Sequence, residues 1–211
     1  AEQAPERAPG KAAPQARESL TPSTALERLL EGNRRFVSNS AKHHDRLATV
    51  RSTAPGQFPF AAVLGCMDSR VPTEIVFDQG IGDVFSVRVA GNVSNDDELG
   101  SLEYAVKVGV KTIVVLGHTR CGAVQGAIDG VKLGNLTGLL DKIHPAVTTA
   151  GCSDSKDEAC VTKVAEMNVR QTMKEIREKS PYVKSHLDDG SVGLVGGLYD
   201  VATGKVTFLS P

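Results

Sequence analysis

The sequence predicts an α/β fold, a mainly parallel central sheet flanked by helices, with an N-terminal helical arm. Three observations predict it. Strand signals at about 60–65, 83–89 and 111–116 alternate with segments of helical apolar spacing, and that alternation implies a parallel sheet with crossover helices. The run at 111–116 is rich in Val and Ile, as strands are. Two runs end in glycine-containing turns, Gly65-Cys66-Met67-Asp68-Ser69-Arg70 and Gly117-His118-Thr119-Arg120-Cys121-Gly122. Open parallel sheets bind ligands beyond the carboxyl ends of their strands.

Residues 1–17, rich in Ala, Pro, Gln, Glu and Arg without hydrophobic periodicity, read as a flexible arm. The expected organisation is an arm over 1–20 and one domain over 21–211. An unstructured tail is the simplest reading of the arm, and packing on a partner subunit is the alternative. Thr21 can cap a helix, Pro22 fits its first turn, and Leu26, Leu29, Leu30 and Phe36 form its apolar stripe. After the first two strands, Asp96-Asp97 opens a helix carrying Leu99, Leu102, Tyr104, Ala105, Val106 and Val108. The strand at 111–116 leads into a helix over 121–130, and a longer helix over 157–178 stops at Ser180-Pro181. Residues 192–195 and 206–209 read as late strands, a hairpin across Ala202-Thr203-Gly204.

At 211 residues the chain is long enough to bury a sizeable core as a single domain. Its formal net charge of −1 gives no global field to attract nucleic acid or an anionic membrane. No apolar run approaches the ~20 residues of a transmembrane helix. Tryptophan is absent and aromatic content is 4%, which disfavours base stacking. A small-molecule substrate fits this composition better than nucleic acid or membrane.

The two glycine-containing turns offer two thiols, one imidazole, and a carboxylate with an arginine two residues away. Zinc takes such ligands in tetrahedral sites, and a catalytic site keeps one position for water. Cys66, His118 and Cys121 can supply three fixed ligands. Asp68 is either the fourth or is held aside by Arg70, leaving that position to water. Each motif alone is a weak signal. The conjunction at the ends of two strands points to a zinc hydratase, with a closed Cys/Asp/His/Cys site that only stabilises the fold as the alternative.

These segments resemble the β-class carbonic anhydrases, and the resemblance runs from Leu26 to Leu209. It rests on Leu29-Leu30-Glu31-Gly32-Asn33-Arg34-Arg35-Phe36, on Cys66-Met67-Asp68-Ser69-Arg70-Val71-Pro72, and on Arg88-Val89-Ala90-Gly91-Asn92. Gly100-Ser101-Leu102-Glu103-Tyr104-Ala105 and the turn from His118 to Gly122 complete it. The resemblance implies one Zn2+ per chain and reversible hydration of carbon dioxide to bicarbonate and a proton by zinc-bound hydroxide. It implies a homodimer or higher even oligomer whose pockets draw on both subunits. Gln57, Phe85 and Tyr104 match the family's pocket glutamine, phenylalanine and tyrosine; a helix-face core position is the alternative for Tyr104. The backbone N–H of Gly122 can help bind a substrate oxygen, as helix-start amides do.

Asp68 and Arg70 sit two apart, so in extended backbone they point the same way and pair. Pairing keeps Asp68 ionised, ready to accept from zinc-bound water and orient hydroxide toward carbon dioxide. Two thiolates formally cancel the charge of zinc and weaken its acidity, so activity is expected to rise into alkaline pH. Cys121 begins a helix, which favours its thiolate. The family's closed, bicarbonate-inhibited form uses a tryptophan shortly before the first cysteine; here Ala62-Val63-Leu64 fills that stretch, while Arg88 matches the arginine of that site. The expectation is an enzyme open at neutral pH. Hydrolysis of carbonyl sulfide or carbon disulfide on the same zinc site, and a non-catalytic zinc module, are the competing functions.

His43, His44, His144 and His186 are expected at the surface, any of them able to pass protons. Asn92-Val93-Ser94 and Asn135-Leu136-Thr137 fit the glycosylation pattern, a weak signal. Cys152 and Cys160 stand in a polar segment and are expected to close a short disulfide loop, reasonable in an oxidising compartment. With the Met-free start, this makes a periplasmic or secreted location the expectation and a cytoplasmic one, with free thiols, the alternative.

Overall fold

A computed structural model describes residues 19–210. The expected arm lies outside the described residues except for Ser19 and Leu20, the latter packed against the core. Five strands form one sheet in the order β2-β1-β3-β4-β5. β1 (Ala61–Gly65), β2 (Val84–Arg88), β3 (Thr112–His118) and β4 (Gly193–Tyr199) are parallel, and β5 (Val206–Phe208) returns antiparallel along β4. The late hairpin is therefore present.

Alternation along the central strands sorts the core into two layers. Ala61, Val63, Val114 and Leu116 face α1 (Pro22–Val37) and α3 (Thr73–Val76), meeting Leu29, Val76 and Phe77. Ala62, Leu64, Ile113 and Val115 face α4 (Asp96–Val108), α8 (Glu158–Lys179) and α9 (Pro181–Asp188). A third cluster covers the carboxyl ends of the strands and contains Cys66 and Cys121. There α5 (Gly122–Ile128), α6 (Gly134–Asp141), α7 (His144–Ala150) and the first half of α8 pack together. Of the N-terminal helices, α1 docks on the sheet through Ala25 and Leu29, whereas α2 (Arg46–Thr53) has no buried residue.

Caps fix several helix starts. The Thr21 side chain accepts from the Thr24 N–H with Pro22 next to it, and the Asn95 side chain accepts from the N–H groups of Asp97 and Glu98, satisfying donors a helix start leaves free. Ser180 ends α8 as expected, and its hydroxyl also caps α9 by accepting from Val183.

Gly134–Asp141 and His144–Ala150 form α6 and α7, two helices beyond those expected, and β4 continues past Val195 to Tyr199. The continuation was hidden by Gly196-Gly197, which break the apolar pattern. A Cβ on Gly196 would lie 2.7 Å from Met173 Sδ, and one on Gly117 2.7 Å from Val169 Cγ2. Those glycines let α8 lie directly on the sheet.

Gly65 pairs with Leu116 on one side and Arg88 on the other, so β1, β2 and β3 reach the same level. From β1 the sheet grows outward to β2, and from β3 outward to β4. The crevice between β1 and β3 is thus a topological switch point.

Candidate active site

β1 delivers Cys66 at its end, β3 finishes on His118, and Cys121 is the cap of α5. The ligand atoms of these three residues lie within 4.8 Å of one another. The His118 Nδ1 hydrogen donates to the Thr119 carbonyl at 2.9 Å, which leaves Nε2 as the ring's lone-pair nitrogen. Nε2 is buried and has no hydrogen-bond partner among the described residues. Thr119 is itself anchored to the end of β4, its N–H donating to the Tyr199 carbonyl at 2.9 Å.

The two thiols share a proton unequally. The hydrogen bond from Cys121 pulls Cys66 down to about 4, against the opposing effect of burial and with help from His118 and the N–H groups of Gly91 and Asp68. That same bond, then burial and the Cys66 charge, push Cys121 up. The N–H groups of Val124 and Ala123 at the helix start do favour its thiolate, as expected, but they are outweighed. A buried imidazole nitrogen aimed at two sulfurs is a donor set that suits zinc.

Asp68 and Arg70 do pair, but not across extended backbone. The Val71 N–H donates to the Asp68 carbonyl at 3.0 Å, closing a tight turn. Across that turn Asp68 Oδ1 accepts from the Arg70 N–H and Nε, both at 2.9 Å, and Oδ2 accepts from Nη2 at 2.7 Å. The Arg70 hydrogen bond holds the Asp68 carboxyl at about 2, well below the ordinary carboxylate range. Oδ2 also stands 3.8 Å from His118 Nε2, so the carboxylate borders the ligand cluster while facing its arginine.

Arg88 donates from Nε to the Cys66 carbonyl at 3.0 Å and from Nη2 to the Asp68 carbonyl at 2.5 Å. Its guanidinium is committed to the ligand loop. The segment containing it was visible in the sequence, but its contacts with that loop were not.

A family model described as carbonic anhydrase matches residues 61–206. Carbonic anhydrase 2 of Mycobacterium tuberculosis is 38% identical over 194 residues, 89% of this chain and 92% of that protein. The solved β-carbonic anhydrase CafA of Aspergillus fumigatus superposes with a TM-score of 0.71 at 27% identity, covering 89% of this chain and 90% of that one. The chain belongs to the β-carbonic anhydrase family. A further member, one of two tetrameric β-carbonic anhydrases from Sordaria macrospora, gives a TM-score of 0.72 at 25% identity, covering 89% of this chain and 98% of that one. The carbonic anhydrase match begins at β1 and ends at β5, so it contains every residue of the Cys66, His118 and Cys121 cluster.

Within one chain, the remaining residues expected around a carbonic anhydrase pocket do not all meet that cluster. Gly122 follows Cys121 as the first residue of α5. Gln57 is exposed in the segment before β1. Phe85 on β2 and Tyr104 on α4 stack obliquely, ring centroids 5.9 Å apart. They line an open cavity of about 510 Å³ with Val87, Asp97 and Ser101, and no metal-ligating residue reaches it. Tyr104 is 55% exposed, which removes the reading of it as a core residue.

Among the histidines, His43 and His144 are exposed. His44 instead leans on buried Asp78, 3.2 Å from its Oδ1, and His186 stacks on Tyr182. Asn92 is buried and inaccessible to glycosylation, while Asn135 is exposed. Cys152 and Cys160 stand at disulfide distance, with Cα atoms 5.5 Å apart.

Proposed function

We propose that this chain catalyses reversible hydration of carbon dioxide to bicarbonate and a proton, with one zinc ion held by Cys66, His118 and Cys121. The observation that carries this reading is the buried, unpartnered His118 Nε2 among two sulfurs, beside a carboxylate whose oxygens are both engaged by Arg70. Zinc bound there would supply the Lewis acid that makes water nucleophilic near neutral pH. Asp68 would orient that water. Held at about 2, its carboxyl stays ionised and is too weak a base to take the proton outright. Oδ2, the oxygen nearer His118, would accept one O–H hydrogen bond and so set the orientation of that water. Arg70 engages both carboxylate oxygens, which would keep Asp68 from acting as a further ligand, and Arg88 fixes the loop that carries both. The N–H of Gly122, the first residue of α5, would donate to a substrate oxygen.

The pocket wall requires a second copy. Leu47 and Val50 on α2, Phe58, Ile75 and Ile81 are exposed apolar side chains, and β2 is an edge strand beside them in sequence. Exposed apolar surface and an open edge are what a subunit contact covers. A homodimer or higher even oligomer would bring Gln57, Phe85 and Tyr104 to pockets built by two chains, and the tetrameric Sordaria relative supports assembly. The Cys152 and Cys160 placement supports an oxidised pair, hence a periplasmic or secreted location. Thiol titration of the unfolded, unreduced chain gives two reactive sulfurs in that case and four if the pair is reduced.

The deciding experiment is stopped-flow carbon dioxide hydration on zinc-quantified protein from neutral to alkaline pH, with Asp68→Asn as control. Turnover that rises with pH and collapses in the variant is the expected result. No turnover despite one zinc per chain would overturn it and turn the test to carbonyl sulfide and carbon disulfide.

A further inference from the structure

Two peptide N–H groups donate to Cys66 Sγ, that of Asp68 at 3.4 Å and that of Gly91 at 3.3 Å. The first comes from the same loop as the sulfur. The second comes from a turn at the end of β2 whose conformation is unusual. Gly91 has φ 68° and Asn92 has φ 44°, two successive residues in the left-handed region. Glycine adopts that region freely, but it is also the residue least able to hold one orientation alone. A Cβ on Gly91 would sit 2.6 Å from Ile143 Cδ1, so the position is closed to larger residues as well.

What holds the turn is α8. Asn168 Nδ2 donates to the Gly91 carbonyl at 2.7 Å, and the Thr172 hydroxyl donates to the Asn92 carbonyl at 3.2 Å. The two side chains are four residues apart and share one face of the helix. Asn168 is 0% exposed, and its Oδ1 has no hydrogen-bond partner among the described residues. A buried amide with an unsatisfied oxygen is a costly way to fill a core. A leucine would pack there without that cost, so packing does not explain the residue.

We propose that Asn168 is a positioning residue for the metal centre: by clamping the Gly91 carbonyl it aims the Gly91 N–H at the Cys66 sulfur and tempers that thiolate as a ligand. The proposal rests on the zinc reading above. A thiolate that accepts an N–H gives less electron density to a metal, and partners one step removed from a ligand govern metal affinity and activity in this way. With two sulfurs in the ligand set, this restores part of the Lewis acidity their charge removes.

The test compares Asn168→Leu with Thr172→Val, which deletes the neighbouring buried hydrogen bond but leaves the Gly91 clamp. Each protein is loaded with cobalt(II), and the thiolate-to-cobalt charge-transfer band is recorded with the Gly91 amide proton shift of the zinc form. In Asn168→Leu the band moves to longer wavelength, the amide shift moves upfield, and hydration falls about tenfold. In Thr172→Val the band stays in place. A band and amide shift unchanged in Asn168→Leu would overturn the proposal, as would equal shifts in both variants, which would mark general loosening. If the leucine variant does not fold, Asn168→Ser is read the same way. An unsubstituted protein with no thiolate band would instead show that the zinc reading has failed, and the proposal with it.

Discussion

At the carboxyl ends of β1 and β3 the functional groups are buried and held from several sides, whereas along β2 and α4 those expected to wall the pocket stand open. Cys66, His118 and Cys121 are 4%, 0% and 1% exposed, but Tyr104 is 55% exposed. The buried group is tied by backbone to two central strands and by Arg88 and Gly91 to a third segment. Phe85 packs against the sheet core and meets Tyr104 ring to ring, but neither reaches the cysteines. The contrast separates two tasks. On the proposed reading, capturing a metal would need only one folded chain, while shaping a cavity for substrate would draw on surface that one chain leaves uncovered.

Removing a ligand should have the largest effect. Cys121→Ser is expected to cut zinc content to a small fraction of one per chain and hydration by more than about 100-fold, beyond the usual effect of outer partners; elemental analysis beside stopped-flow kinetics checks both. Asp68→Asn should keep its zinc and lose roughly 100-fold in rate, the scale of a misoriented reacting group. If it also lost zinc, the carboxylate would belong with the ligands rather than beside them.

The open side is tested by Leu47→Asp combined with Ile75→Asp. Sedimentation should show monomers that retain one zinc per chain while turnover drops roughly tenfold from lost positioning. Full activity in such a monomer would break the comparison, because the pocket would then be complete in one chain.

Acid sharpens it further. The Asp68 carboxyl is depressed to about 2 by Arg70, so its contribution to stability is complete above its unfolded value and is lost only as pH falls from about 4 toward 2. Arg70→Gln should therefore lower stability at neutral pH, raise the acid-unfolding midpoint and leave stability between about pH 4 and 2 less sensitive to pH, as followed by circular dichroism. Asp78 acts in the same direction: burial raises it, yet Arg35, the Lys42 N–H and His44 together hold it below the ordinary value. The smallest effect belongs to Glu158→Gln. Its partner Arg120 and Glu158 itself have side chains 51% and 68% exposed, and such a pair is worth less than about 1 kcal/mol.

What the sequence made legible was whatever is written locally. Cys66, His118 and Cys121 could be grouped because each follows a strand whose apolar run is continuous, and the sheet then has little choice about where those strands end. The Asp68 and Arg70 pairing was also readable, although its turn was not: spacing gives proximity without the hydrogen bond from Val71 that bends the chain. Contacts between distant segments left no local mark. Nothing near Asn168 says that it meets Gly91, 77 positions away. Gly196-Gly197 read as an interruption of β4 because their reason is the helix above them. The helices α6 and α7 were legible too, since Leu136, Leu139, Leu140, Ile143, Ala146, Val147 and Ala150 recur three or four apart, and that stripe packs into the cluster around the cysteines.

The path of α8 has a consequence for motion. Its 22 residues span about 33 Å, and along that length it rests on Gly117 and Gly196, clamps the turn at Gly91, and meets α9 through Ser180. Opening the site by moving the turn would require lifting the same helix from the sheet, so the two cannot fray independently. Amide hydrogens of the turn, of the middle of α8 and of β3 should then exchange with deuterium at one common slow rate, as a single cooperative unit, while those of α2 exchange orders of magnitude sooner.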